Sequence, residues 1–335
     1  MKNIYNYVLE YQNEEIKEIN TIDAMVFARL SYLHLEEVQD KLPVKIKDLN
    51  SVIEHLKTNS YDKKLVELVS NAKRFKELEI ERCHYILDKE RECQFFAITI
   101  ILPNNEAFIS FRGTNRNIIG YKEDLNMSYM TIPAQEEAVN YLNSELSFKK
   151  YYLGGHSKGG NMAMYAGIYA KYMRRSKIKK IFNFDGPGFL ELDDKFYLMR
   201  KKIINYFPEC SIVGRLMQND NYINAIKVSK SGIEAHNLYN WKVIRDDLEY
   251  GLLSCNSDAF HESCLKLLSV IDKEKRKIII DYLFLLVLKG EIKSIKELTM
   301  EDVKKIVNNV PKIEKKDKEE LINFMKSFMK MLLPL

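Results

Sequence analysis

Tyr151-Tyr152-Leu153-Gly154-Gly155-His156-Ser157-Lys158-Gly159-Gly160-Asn161-Met162-Ala163 is the stretch on which the reading of the chain turns. A short β-favouring run leads into glycines that bracket a serine, and residues 161–173 then have helical composition. Gly155 to Gly159 fit G-x-S-x-G, in which the serine sits on a sharp strand-to-helix turn in a strained conformation. Side chains two residues to either side would collide there, so the pattern asks for glycine. The following helix aims its N-terminal N–H groups at the point where negative charge develops in acyl transfer. Taken alone the motif is weak, because glycine is a common residue. Its setting strengthens it: Gly159, Ala163, Ala166, Gly167 and Ala170 give the helix a face of small residues that can lie close against a sheet. The plain alternative is a glycine-rich turn without chemistry.

Outward from this stretch the segments alternate as a parallel sheet with crossover helices requires. Phe95 to Leu102 is a continuous β-favouring run, Pro103-Asn104-Asn105 a turn, and Ala107 to Phe111 a second strand. Pro133 to Leu146 reads as a helix, with proline early and Glu136 and Glu137 in its first turns. Lys180 to Phe184 is a buried-type strand that ends at Asp185-Gly186-Pro187-Gly188, and weaker strands follow around 203–207 and 224–229. Residues 1–80 read as mainly helical, with Thr21 as an N-cap ahead of Asp23 to Leu30. From roughly 257 onward the chain is helical in composition and highly charged. The expected organisation is a helical N-terminal extension over 1–90, an α/β core over 91–250 and a helical C-terminal appendage over 251–335.

The 335 residues fit one large α/β unit, and a 46% hydrophobic content provides for a sizeable core. The 52 basic and 47 acidic residues are spread along the chain, so no basic stripe of a nucleic-acid binder is present and no nucleic acid is expected. The N-terminus Met1-Lys2-Asn3-Ile4-Tyr5 lacks the apolar stretch of a secretory signal. The apolar run Ile278 to Leu288 is too short to span a bilayer, contains Asp281 and reads as a buried helix. Cys83, Cys93, Cys210, Cys255 and Cys264 are scattered, which argues against a disulfide framework or zinc site and for a reducing, cytoplasmic setting. No metal or organic cofactor is expected.

Three segments together resemble the class 3 (fungal-type) lipases: Ser110-Phe111-Arg112-Gly113-Thr114-Asn115, Glu123-Asp124-Leu125, and Gly155-His156-Ser157-Lys158-Gly159-Gly160. Phe184-Asp185-Gly186-Pro187-Gly188 and Ser211-Ile212-Val213-Gly214 resemble more closely a bacterial, lipase-like branch of that family. The resemblance covers roughly residues 90–245. It implies an α/β-hydrolase fold and a serine hydrolase that cleaves a carboxylic ester, a small-molecule or lipid-like one, through an acyl-enzyme on Ser157. It also implies an oxyanion hole with the backbone N–H of Thr114, and its hydroxyl as a further candidate donor, as one half and the backbone N–H of Lys158 as the other, and Asp124 as a brace for the first loop. Lys158 stands where the lipases have leucine, and Ser211 where they carry their acid.

The chain order serine, acid, histidine leaves His236 and His261 as candidate bases. His236 lies in a loop after the strand near 224–229, where a base over the sheet edge belongs, whereas His261 falls within a helical segment. Asp185 is the first candidate for the acid because it ends a strand beside the nucleophile strand; Glu209 is the alternative, and a purely structural Asp185 holding the Gly186-Pro187-Gly188 turn is the plain reading. A non-catalytic, hydrolase-like binding module with a decayed triad is the rival function, prompted by Ser211 and Lys158. Leu321 to Leu333 is apolar with interspersed lysines; packing on the domain's own core is the expectation, and weak association with a membrane surface is the alternative. The oligomeric state is not legible.

Overall fold

Phe95, Ala97, Ile98 and Ile100 are all buried, and the strand that carries them lies within an eight-stranded sheet. The structure, a computed structural model, describes residues 2–115, 117–145, 148, 150–289, 299–309 and 314–332. The strands are β1 (Val44–Lys45), β2 (Glu79–Asp88), β3 (Cys93–Leu102), β4 (Glu106–Phe111), β5 (Lys150–His156), β6 (Ile178–Phe184), β7 (Ile203–Pro208) and β8 (Ile223–Ile226), in that spatial order. Neighbours from β1 to β4 are antiparallel, and from β4 to β8 parallel. A small hairpin, β9 (Val243–Ile244) and β10 (Asp247–Leu248), follows.

Helices cover both faces because successive side chains of a strand point to opposite sides. One layer is built by α1 (Ile4–Glu10), α2 (Thr21–Leu30), α3 (Leu49–Ile53), α4 (Ser60–Asn71) and α5 (Lys73–Lys76). Phe27 of α2 and Phe75 of α5 share a core with Phe108, Tyr152, Phe182 and Phe184 from the sheet. The opposite layer is built by α6 (Ile118–Asn126), α7 (Pro133–Ser144), α8 (Lys158–Tyr169), α9 (Tyr172–Arg175) and α10 (Asp194–Met199). Here Ile109, Tyr151 and Leu153, next along the same strands, meet Ala163 and Ala166 of α8 and Tyr141 of α7. Burying one such large apolar side chain contributes roughly 1.5–3 kcal/mol.

The last layer comprises α11 (Cys255–Val270), α12 (Lys273–Leu288), α13 (Met300–Asn309) and α14 (Lys315–Leu332). Leu283 and Phe284 of α12 pack against Tyr121, Leu125 and Tyr129 on and after α6. On α14, Leu321 and Met325 join a cluster with Ile271 and Val307, and the Phe324 ring lies 5.7 Å from that of Phe260. The side chains of α14 beyond Lys326, and residues 333–335, fall outside the described residues. Among the described residues no helix is long and apolar enough to cross a membrane.

Two expectations need correction. The stretch read as helical through residue 90 contributes β1 and β2, and β2 is ten residues long. Its charged residues Glu79, Glu81, Arg82 and Asp88 break the apolar alternation, because this strand pairs near the sheet edge and is only partly buried. The helix expected to run to Leu146 ends at Ser144, and Leu146 lies outside the described residues.

Candidate active site

Ser157 joins β5 to α8 with φ 60° and ψ −134°, in the left-handed half of backbone space that costs a non-glycine residue about 1–3 kcal/mol. The surrounding backbone holds it: the Ser157 N–H donates to the Phe184 carbonyl at 3.0 Å and the Gly160 N–H to the Ser157 carbonyl at 2.9 Å. Two glycines are required by close approach. A Cβ at Gly155 would lie 2.4 Å from the Gly159 carbonyl, and one at Gly159 would lie 2.1 Å from the Phe111 oxygen. The Ser157 hydroxyl makes no capping bond to α8 and is partly exposed.

Asp185 follows β6 directly with φ 50° and is fully buried. Its Oδ2 lies 2.6 Å from Nδ1 of His236, at the end of a short 3₁₀ turn, Gly232–His236. Its Oδ1 accepts from the Ser211 hydroxyl at 2.5 Å and from the Gly214 N–H at 3.0 Å. Ser211, at the position of the lipase acid, thus steadies a carboxylate supplied by the preceding strand. A carboxylate facing Nδ1 fixes the proton there and leaves Nε2 with its lone pair.

The other candidates lie elsewhere. Glu209 is tied by its backbone to Ile226 and Ser254, at the junction with α11, and among the described residues makes no hydrogen bond to a histidine ring. His261, on α11, faces the Arg215 carbonyl through Nδ1 at 2.7 Å.

His156, the residue before Ser157, takes part in a way the sequence did not reveal. Its Nε2 lies 2.8 Å from the His236 carbonyl, so Nε2 carries the proton and steadies the His236 backbone. Burial pushes the His156 pKa well below its usual value, with the neighbouring His236 acting in the same direction. The neutral ring therefore accepts at Nδ1 from the Tyr32 hydroxyl, 3.1 Å away. Tyr32 in turn accepts from the Gly113 N–H, and burial pushes its hydroxyl up to about 12, so it remains a donor. The Arg29 guanidinium lies over the Tyr32 ring at 4.1 Å and is held by Asp62 at 2.7 Å. α2 and α4 thereby reach the strand end next to the serine.

Thr114, on the loop after β4, and Lys158, the first residue of α8, converge beside Ser157, since a Cβ on Gly113 would lie 3.1 Å from the Ser157 Cβ. The Thr114 hydroxyl donates to Asp124 at 2.7 Å and is thereby engaged. Among the described residues no backbone carbonyl accepts from the N–H of Thr114 or of Lys158. The Lys158 side chain is buried, with Nζ 2.7 Å from Glu123 Oε2 and 3.2 Å from the Gln94 carbonyl. Glu123, also fully buried, accepts from the N–H groups of Gln94 at 3.0 Å and Ala134 at 2.9 Å. The lysine that replaces the lipase leucine therefore locks the elbow helix to α6. Its signal was in the sequence, as the glutamate preceding Asp124.

Three comparisons bear on this arrangement. A model of the Mbeg1-like family matches residues 69–285. No curated protein matches the chain. Among solved structures, a crystal structure of M37 lipase is similar at 15% identity and a TM-score of 0.40, over 59% of this chain and 70% of that one. With a mostly parallel sheet, helices on both faces and a serine on the turn after β5, the fold is that of an α/β-hydrolase. The chain belongs to the Mbeg1-like family, a lipase-like hydrolase family.

Proposed function

We propose that the protein is a serine esterase or lipase that cleaves a carboxylic ester, lipid-like in character, through an acyl-enzyme on Ser157. The single observation that carries this is the 2.6 Å contact between Asp185 and His236 at the edge where Ser157 is held in the strained elbow. In the first half-reaction the Ser157 oxygen bonds to the ester carbonyl carbon as His236 Nε2 takes its proton. His236 then returns that proton to the leaving alkoxide as the C–O bond breaks. Asp185 keeps the proton on Nδ1 and stabilises the imidazolium. The oxyanion faces the N–H groups of Thr114 and Lys158, and one such donor is worth ~3–4 kcal/mol of barrier. Water, activated by the same histidine, releases the carboxylic acid and restores the serine.

The departures from the lipase pattern do not favour a decayed module. Ser211 donates to the acid, and Lys158 is paired with Glu123 while its backbone N–H remains available. The five free cysteines are in keeping with a reducing, cytoplasmic setting. Labelling with a fluorophosphonate probe, alongside hydrolysis of a short p-nitrophenyl ester, tests the proposal. The expected result is labelling and activity in the wild type and neither in Ser157→Ala, with the far-ultraviolet spectrum unchanged. Activity retained by a folded Ser157→Ala protein would remove the serine from the reaction.

A further inference from the structure

Residues 171–180 hold six basic side chains and no acidic one, and residues 195–202 hold four and none. The fold brings the two runs together at the end of the sheet where the parallel strands begin. α9 lies just before β6, and the turn Arg200–Lys202 just before β7. Lys202 Nζ donates to the Arg175 and Ile178 carbonyls at 3.2 and 2.6 Å. Asn221 Nδ2 donates to the Arg200 and Ile203 carbonyls at 3.0 and 2.9 Å. These bonds fix α9, that turn and the loop before β8 side by side. Four large apolar side chains stand out from this surface into solvent: Tyr172 at 76% exposure, Met173 at 69%, Leu198 at 75% and Tyr222 at 79%.

The charge around them is one-sided. Lys171 and Lys201 are exposed, as is Lys150 at the start of β5, and among the described residues none of the three is in an ion pair. Burial lowers the pKa of Lys202, and the neighbouring Lys150 pushes it the same way, as crowded cations do. Of the carboxylates nearby, Glu106 and Glu18 pair with Lys179 at 3.3 and 3.4 Å, and Asp220 lies 3.7 Å from Arg200. Asp193 and Asp194 stand at the other end of α10. Exposed apolar tips ringed by unpaired cations suit an anionic bilayer surface, where cations meet headgroups and the tips enter the boundary with the acyl chains. Met173 and Leu198 neither donate to phosphates nor offer a ring to stack on a base, as a nucleic acid would ask. A second copy docked through the same face would set like charge on like. We propose that this face docks on the anionic lipid headgroups of a membrane surface. β5 runs seven residues from Lys150 to His156, roughly 20 Å at ~3.3 Å per residue, so docking leaves Ser157 on the side away from the bilayer. The surface is thus an anchor, and it does not depend on the proposed hydrolysis.

Sedimentation of the full chain with lipid vesicles tests this. Vesicles of phosphatidylcholine with roughly a quarter phosphatidylserine should carry the protein down at low salt and release it as sodium chloride rises. Phosphatidylcholine alone should not bind it. Lys171→Glu combined with Lys201→Glu should weaken binding about tenfold or more. Lys41→Glu combined with Lys57→Glu makes the same change of charge at exposed lysines of the N-terminal layer and should weaken it about threefold at most. Tyr172→Ser combined with Leu198→Ser should lower binding about fivefold while leaving its salt dependence in place. All of these are surface changes, and unchanged melting temperatures verify the fold. Three results would overturn the proposal: no preference for phosphatidylserine, equal losses from the two lysine pairs, or a DNA duplex bound as tightly as the vesicles and indifferent to the Tyr172→Ser and Leu198→Ser changes.

Discussion

The helices before the sheet and those at the end of the chain are both rich in charge, yet they bury different things. In the first group Arg29 pairs with Asp62 and Arg74 with Asp23, and all four side chains are at most 10% exposed. These pairs sit among Tyr7, Phe27 and Tyr239 and support Tyr32 behind the candidate nucleophile. In the second group Lys266 with Glu320 and Lys277 with Asp281 join side chains that are largely solvated on the lysine side, and of the described pairs within these helices Lys275 with Asp317 has the buried carboxylate. Its apolar contacts run mainly through α6 and α11, with Leu268 of α11 packed against the core cluster on the α8 side of the sheet. Similar composition thus serves two purposes. The N-terminal layer is an inner wall of the core and the site; the C-terminal helices cover the outside and reach the site's edge, where the Ser257 hydroxyl of α11 donates to the Ser211 carbonyl at 2.8 Å.

The sharpest test contrasts a carboxylate of the sheet with one that leans on the C-terminal group. Asp185→Asn should lower kcat by ~10⁴, because asparagine admits the wrong histidine tautomer, whereas Glu209→Gln should change it by less than about twofold. Steady-state kinetics on a p-nitrophenyl ester decides this, and reversed effects would transfer the acid to Glu209.

Stability should separate the two helical groups next. Arg29→Met leaves Asp62 buried without its partner and should cost about 3–5 kcal/mol, while Lys266→Met should cost less than about 1 kcal/mol. Equal losses in urea unfolding would make the two regions energetically alike.

A smaller effect is expected at the link from the N-terminal layer to the site. Tyr32→Phe removes the donor to His156 and should lower kcat about tenfold, equivalent to ~1.4 kcal/mol of barrier, with KM unchanged. Phe324→Leu on α14 should leave kcat as it is. A Tyr32→Phe enzyme with full kcat would reduce the N-terminal layer to packing alone.

The smallest expected effect is a pH slope. The native His156 has its pKa depressed, so the unfolded chain takes up a proton first, starting near its ordinary value of about 6.5. Stability held above that pH should fall as the pH drops toward the lower native value. His156→Gln should flatten this part of the profile in unfolding experiments between about pH 7 and 5, and an unchanged slope would show that His156 does not contribute.

What local sequence determined was the part of the fold written in backbone sterics and short-range periodicity. Gly155 and Gly159 around Ser157 specify the elbow because nothing larger fits there, and the apolar runs of β3, β4 and β6 declare buried strands. The end of β6 likewise marked Asp185 as a side chain emerging at the edge occupied by Ser157. Tertiary structure decided among the partners that the sequence had left open and supplied those it had not suggested. His236 meets Asp185 across 51 residues of chain, Tyr32 meets His156 across 124, and Lys158 finds Glu123 across 35. It also drew β2, with its charged and half-buried pattern, into the sheet. The physical reason is one of range. A turn or a strand is stabilised by atoms a few residues apart, so its requirements are visible in any short window. A buried charge or hydrogen-bonding group demands only some partner of the right chemistry, and which one it receives depends on the path of the whole chain.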